Sequence, residues 1–509
     1  MKKKTFVKAG VRLIIISLFG KICGLLKQVI IAWAFGANEE TDVYFVADGA
    51  VAMVAVVVSG AVSVTLLSYY SKKLRAPVAK KKALVGNVLS CGAIGSAIIT
   101  ISIIAFASPL SSFLAPSFTQ SQHDQLSKYI VFLSASVLIL LSASLCGAFL
   151  EGESDFVPAK LQNIFVSATS IVIIITLYKA LGIHALLFGY LGGYLLHYGF
   201  VAYRLNKKSL YCFSRPVVNS DIKTLFKMAG LIIIGNSAVE FNHLIDKMIA
   251  SGLSEGSVSA LYYGQIVSTD LVASTLVYSI SAIFIRDFSK QASEGNIDGV
   301  NSRVKTAIAY YFPLGVLLII IYFFYSSDII RILLMRGSFD QAAADITRTV
   351  VLGYMFCFVA VPIKDILMKT HYAMLDSRRP MVICIIESGL NIGVSLLLSR
   401  YFGILGIALG TSISTLISCI FFRVSVRKHL PEFRMFQLKQ VVLVAIIGMT
   451  ICGIKVAFDF TPLSNNLSGR IGIAIFLCLV YIILLLLFKY PYIDMLGKRI
   501  VTRINRGKR

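Results

Sequence analysis

The chain has 509 residues, 57% of them hydrophobic and 15% charged, with a formal net charge of +24 and a mean hydropathy of +0.81. Soluble domains carry about 25% charged residues, so this composition excludes a soluble globular domain and predicts an all-α membrane protein. The 49 Lys and Arg residues recur in short clusters between apolar runs. That is the distribution of cytoplasmic loops beside anionic lipid, and it argues against a nucleic acid partner.

The N-terminus, MKKKTFVKAGVRLIIISLFGK, is basic and then apolar, without a small-residue cleavage site, and reads as a retained first span. A helix needs about 20 mainly apolar residues to cross the hydrocarbon core. Fourteen stretches qualify as transmembrane helices: 10–35, 42–70, 83–107, 128–150, 158–180, 183–203, 224–250, 257–285, 304–325, 344–370, 380–400, 403–423, 437–457 and 470–490. Between the first two lies an acidic stretch, FGANEETDVYFVADGAV. Glu39 and Glu40 are assigned to a short outside turn, and Asp42 to the start of the second helix, where a carboxylate favours the positive end of the dipole. Asp48 then lies about 9 Å deeper by helical rise.

Loop charge sets the orientation. Lys72, Lys73, Arg75 and Lys80 to Lys82 follow span two, Arg204, Lys207, Lys208 and Arg215 follow span six, and Arg423, Arg427, Lys428 and Arg434 follow span twelve. The basic N-terminus and the C-terminal KRIVTRINRGKR fall on the same side, so both termini are expected in the cytoplasm and the number of spans is even. The loop 326–348, with Arg331, Arg336 and Arg348, is basic on the expected outside and dissents.

Weak internal similarities recur at nearly one offset. AFGANEETDVYF (34–45) aligns with ASGLSEGSVSAL (250–261), GIHALLFG (182–189) with GILGIALG (403–410), and Pro158 with Pro380. Six spans followed by six similar ones make a parallel repeat, two six-helix lobes around a central cavity, as in transporters built on an axis along the membrane normal. The expected divisions are 1–210 for the N-lobe (spans one to six), 211–430 for the C-lobe (spans seven to twelve), and 431–509 for spans thirteen and fourteen with a basic cytoplasmic tail.

Ionisable residues inside spans are costly and normally face protein or a watery cavity. In span seven, Asn236, Glu240, His243 and Lys247 share one helical face. They are candidate cavity-lining groups, with internal ion pairing as the alternative, and His243 is a candidate proton relay. Asp270 and Ser274 extend the polar face in span eight. Span one carries Lys21 and Lys27, span ten Lys364 and Asp365, read as a local pair, and span eleven Glu387 with Asn391. Nine scattered cysteines show no metal spacing, and GYLGGY (189–194) reads as close helix packing. No metal motif, nucleophile elbow or phosphate loop occurs, so the chain is expected to be no enzyme. It is expected to need no cofactor, its transport being driven by the membrane potential, H+ or Na+, or the substrate's own gradient.

Three passages resemble the MviN/MurJ family of lipid-linked glycan flippases, within the superfamily that includes multidrug exporters. They are KICGLLKQVIIAWAFGANEETDVYFVA (21–47), IDKMIASGLSEGSVSALYYG (245–264), and the pair RGSFD (336–340) and HYAMLDSRRP (371–380), which is similar to the family's RGAFD and FYALGDTRTP. The resemblance implies fourteen spans and a cationic central cavity that binds a polyprenyl-pyrophosphate-linked saccharide and turns it across the bilayer by alternating access. It also implies a bacterial inner-membrane location, membrane lipid as surroundings and a functional monomer. Two first-helix arginines of the family fall on Lys21 and Lys27, which keep the charge but lose bidentate phosphate geometry. The family's aspartate is Asp42. A basic residue usual seven positions later falls on Gly49, and another on Ile266, so cations are missing; Lys247 and Lys364 are candidate replacements. With the polar faces of spans seven and eight, the candidate substrate-binding set is Lys21, Lys27, Asp42, Asn236, Glu240, His243, Lys247 and Asp270, with Asp48, Glu387, Lys364 and Asp365 as candidate coupling groups. The cargo is lipid II or a related cell-surface glycan precursor. The alternative is an ion-coupled exporter of small amphiphilic compounds.

Overall fold

The computed structural model describes residues 3–71, 77–271, 278–488 and 490, and every regular element among them is a helix. Helices suit a chain in lipid because they satisfy their backbone groups internally. The chain divides into two compact units, Met1–Tyr263 with Leu333–Ile346, and Gly264–Ile332 with Thr347–Arg509.

The first unit holds α1 (Lys3–Phe35), α2 (Glu39–Ser71), α3 (Val78–Ala105), α4 (Ala107–Leu114), α5 (Gln120–Gly152), α6 (Val157–Lys160), α7 (Gln162–Leu181), α8 (His184–Lys207) and α9 (Ser220–Ser251). It also holds most of α10 (Ser257–Gln265). Its core is centred on α2 and α5, where Tyr70 meets Phe149 edge-on at 5.0 Å beside Leu145, Val85 and Leu205. The second unit holds α11 (Tyr278–Ser293), nearly all of α12 (Ile297–Leu333), the end of α13 (Gln341–Tyr354), then α14 (Cys357–Ala373), α15 (Arg378–Phe402), α16 (Ile404–Val426), α17 (Leu438–Asp459) and α18 (Leu467–Leu487). One core there joins Phe288, Tyr311, Ile366 and Phe422. A second packs α17 and α18 on α12, with the Tyr481 hydroxyl donating to Pro313 O at 2.8 Å.

Among the described residues, eleven helices are long and apolar enough to cross a membrane, or twelve if α13 and α14, bent by 44°, form one span. The other two stretches expected from the sequence fall on α9, a continuous helix of 32 residues, and on 257–285, whose residues 272–277 lie outside the described part. The molecule is an all-α, multi-pass membrane protein.

One boundary differs from the sequence reading. Helix α2 begins at Glu39, so Glu39 and Glu40 belong to its first turn and not to the preceding loop. Asn38 starts it: its Oδ1 accepts from Thr41 N at 3.0 Å, while Thr41 Oγ1 accepts from Asn38 N at 2.9 Å. This reciprocal cap leaves three carboxylates over the positive helix end.

The two halves repeat local geometry at an offset of 221 residues. Gly182 closes α7 and Gly403 closes α15, with φ of 55° and 56°, and each N–H donates to the carbonyl four residues back. Earlier in each half, α5 and α14 end in the same six-residue cap. Asp155 N donates to Leu150 O and Ser154 N to Glu151 O; Asp376 N donates to His371 O and Leu375 N to Tyr372 O. The cap places its penultimate residue in the left-handed region that favours glycine, yet Ser154 (φ 64°) and Leu375 (φ 61°) occupy it.

The dissenting basic loop also finds a physical role. Within the first unit, Ser338 N donates to Trp33 O at 2.9 Å and Ser338 Oγ to Ala34 O at 3.1 Å. RGSFD thereby serves carbonyls at the end of α1 that have no intrahelical donor.

Candidate functional site

Helices α1, α2, α8, α9 and α10 bring charged and phenolic groups together inside the first unit. Lys247 of α9 reaches toward α2, its Nζ donating to Phe45 O at 3.0 Å and lying 5.2 Å from the centroid of the Tyr262 ring. Tyr262 is itself held: Gln28 Nε2 donates to its hydroxyl at 2.9 Å, and Phe45 stacks on it at 4.1 Å. Lys27 Nζ lies 5.8 Å from the Tyr190 ring centroid, and the Tyr194 hydroxyl donates to that of Tyr190 at 3.3 Å. Asp48 is within Coulombic reach of both Lys27 and Lys247, and Glu240 of Lys247.

The geometry at Gly49 explains how Lys247 fits. A Cβ at residue 49 would stand 2.7 Å from Lys247 Nζ and 2.9 Å from its Cδ, closer than heavy atoms pack. The bare backbone at residue 49 is therefore the berth of the Lys247 ammonium. The position at which the family resemblance leads one to expect a cation is filled in space by a cation from another helix. Two ammonium groups, two carboxylates and several phenols make a nearly neutral cluster.

Asp42 does something different. Its Oδ2 accepts from Gly256 N at 2.8 Å, and its Oδ1 accepts from Ser259 N at 2.7 Å and Ser259 Oγ at 2.6 Å. The buried carboxylate thus caps α10 and ties it to the start of α2. The neighbouring contact, Glu39 N donating to Glu255 Oε1 at 3.2 Å, joins two residues that the internal alignment makes equivalent.

In the second unit, Lys364 pairs with Glu387 at 2.7 Å, and Asp365 with Lys369 at 2.9 Å. This corrects the expected local pairing of Lys364 with Asp365: successive helical residues point about 100° apart, so each finds its partner elsewhere. Glu387, Asn391, Ser395 and Ser399 form a buried stripe on α15. Asn391 Nδ2 donates from it to Thr411 Oγ1 of α16 at 2.9 Å. Asp270 is exposed at the end of a single π-helical turn, Ile266–Asp270. Among the described residues, one group has metal-like spacing, His371, Asp376 and His429. Its atoms are engaged: Arg379 Nη1 lies 2.9 Å from Asp376 Oδ2 and 2.8 Å from His429 Nε2, and His371 Nε2 is 2.8 Å from Ser425 Oγ.

Of the other expected residues, Lys21 is half-buried on α1, about 9 Å from Lys27 by helical rise. His243 is exposed. The side chain of Asn236 and all of Ser274 lie outside the described residues. The phenols Tyr190, Tyr194 and Tyr262 were not singled out by the sequence reading. Their signal was available, since Tyr190 and Tyr194 are one turn apart in GYLGGY. That motif serves two faces: Gly189 and Gly193 press against Ser170 and Val166 of α7, while the tyrosines join the cluster.

The chain is 23% identical over 422 residues to a probable lipid II flippase MurJ of Buchnera aphidicola subsp. Baizongia pistaciae, covering 81% of this chain and 82% of that protein. It is 23% identical over 469 residues to a probable lipid II flippase MurJ of Borreliella burgdorferi, covering 87% and 88%. Its fold is similar to that of a lipid II flippase MurJ solved in an inward closed conformation, with a TM-score of 0.82 and 21% identity over 96% of this chain and 100% of that one. It is also similar to an inward-facing multidrug resistance MATE family transporter of the MOP superfamily, with a TM-score of 0.69 and 16% identity over 82% and 98%. The family model described as lipid II flippase MurJ matches residues 31–467, and the chain belongs to that family.

Proposed function

We propose that this chain flips a polyprenyl-pyrophosphate-linked saccharide, lipid II or a related surface-glycan precursor, from the inner to the outer leaflet of the bacterial cytoplasmic membrane. Family membership supports the class of activity. The observation that carries the site is Lys247 seated over Gly49, in the same cluster as Lys27 and Asp48. In this reading Lys27 and Lys247 replace the hydration of the pyrophosphate, and the Tyr190 and Tyr262 hydroxyls offer further donors. Asp48 is the counter-charge that holds the two cations when no substrate is bound. Glu240 steadies Lys247, Asp42 positions α10, and Lys364 with Glu387 is a candidate coupling pair in the second unit. The chain works as a monomer by alternating access, the lobes being 1–210 and 211–430, with both termini in the cytoplasm.

Depleting the protein and assaying lipid-linked precursors on each leaflet tests this reading. Accumulation on the inner leaflet of lipid II or of another glycan precursor is expected. Unchanged distribution of both, with loss of export of a small amphiphile, would support the multidrug type instead.

A further inference from the structure

An open pocket of about 950 Å³ lies in the second unit between the start of α15 and the end of α16. Its rim holds Arg378, Arg379 and Lys428 against a single carboxylate, Asp376. Asp376 is engaged by Arg379 and lies 2.9 Å from His429 Nε2, so the exposed Arg378 and Lys428 carry the excess positive charge. Below the rim the lining turns apolar. Val382 and Ile386 of α15, and Ile420 and Val424 of α16, each one helical turn apart, are 43%, 44%, 55% and 60% exposed. Leu375 belongs to the same lining and is 95% exposed, although it holds a left-handed conformation that disfavours a β-carbon-bearing residue. A bare leucine at such a position is suited to an apolar surrounding.

We propose that this pocket binds an anionic phospholipid of the cytoplasmic leaflet, its phosphate between Arg378 and Lys428 and its acyl chains along the exposed α15 and α16 stripes. Charge complementarity identifies the occupant: a basic pocket between helices suits an anionic head group, and the volume is within the range of small-molecule sites. Arg423, Arg427 and Arg434 near the same end of α16 agree with a cytoplasmic position. Free phosphate has no use for the apolar walls, and a zwitterionic lipid leaves the excess charge unmatched. The site is separate from the Lys27–Lys247 cluster, so it does not depend on the proposed cargo.

Native mass spectrometry of the full chain in detergent, with phosphatidylglycerol or phosphatidylcholine added, tests the proposal. Phosphatidylglycerol adducts should survive activation that strips phosphatidylcholine. The Arg378→Gln/Lys428→Gln variant should retain them on the order of thirtyfold less well, at about 1 kcal/mol for each of the two lost cations, with an unchanged melting temperature as the folding control. Inorganic phosphate at equal concentration should not displace the lipid. Equal retention of the two lipids, undiminished retention by the variant, or displacement by phosphate would each overturn the proposal.

Discussion

Asp42 Oδ1 receives both the backbone N–H and the hydroxyl of Ser259, at 2.7 and 2.6 Å, across 217 positions of chain. With Gly256 N on the other oxygen, the carboxylate serves two N–H groups at the start of α10. Replacing Asp42 by Ala leaves two buried N–H groups without acceptors, at about 1–3 kcal/mol each. Asp42→Ala should therefore lose roughly 2–6 kcal/mol of stability in thermal unfolding in detergent. Ser259→Ala should cost less, and the double variant should cost less than the sum.

Lys364 and Glu387 are both largely withdrawn from solvent, with side chains 24% and 10% exposed. Removing one partner strands the other charge, which costs about 3–5 kcal/mol in buried pairs. Lys364→Met or Glu387→Gln alone should lower the melting temperature markedly, and Lys364→Met/Glu387→Leu should recover most of the loss. A double variant as unstable as either single one would show that the pair does more than balance charge.

Asp376 lies in the turn between α14 and α15, outside the spans. Burial pushes its carboxyl up, but the His429 ring, the Arg379 N–H and the Arg379 charge outweigh burial and bring it down to about 2. An unfolded Asp titrates near pH 3.9, so the folded state holds the proton less tightly. Its contribution is complete above pH ~4 and is lost as pH falls toward 2. Acid titration of unfolding should show that limb in the wild type, and Asp376→Asn should flatten it.

Much of the fold was legible because lipid imposes a simple rule, long apolar runs that satisfy their backbone groups as helices. The repeat was legible through Gly182 and Gly403, whose shared backbone conformation accounts for the sequence match. The site was only partly legible. Lys27, Lys247, Asp48 and Glu240 betrayed themselves as charges inside spans, but the role of Gly49 depends on where α9 crosses α2, which no local pattern encodes. Asp42 stood out as an acid at a helix start. That it caps a second helix more than 200 residues away, as well as beginning its own, required the tertiary structure. Lys364 and Asp365 misled because adjacency in sequence is not adjacency on a helix.

In the proposed function, Lys247 delivers over Gly49 the cation on which transport depends. The direct measurement is the rate of flipping of a pyrophosphate-linked saccharide lipid in reconstituted vesicles by wild type, Lys247→Ala and Gly49→Lys/Lys247→Ala. A charge-assisted bond contributes about 1.5–3 kcal/mol, so Lys247→Ala should flip roughly 10- to 100-fold more slowly at equal amounts of folded protein in the vesicles. Moving the lysine onto α2, with the berth emptied, should restore a large part of the rate. Wild-type flipping by Lys247→Ala, or a double variant no faster than the single one, would contradict it.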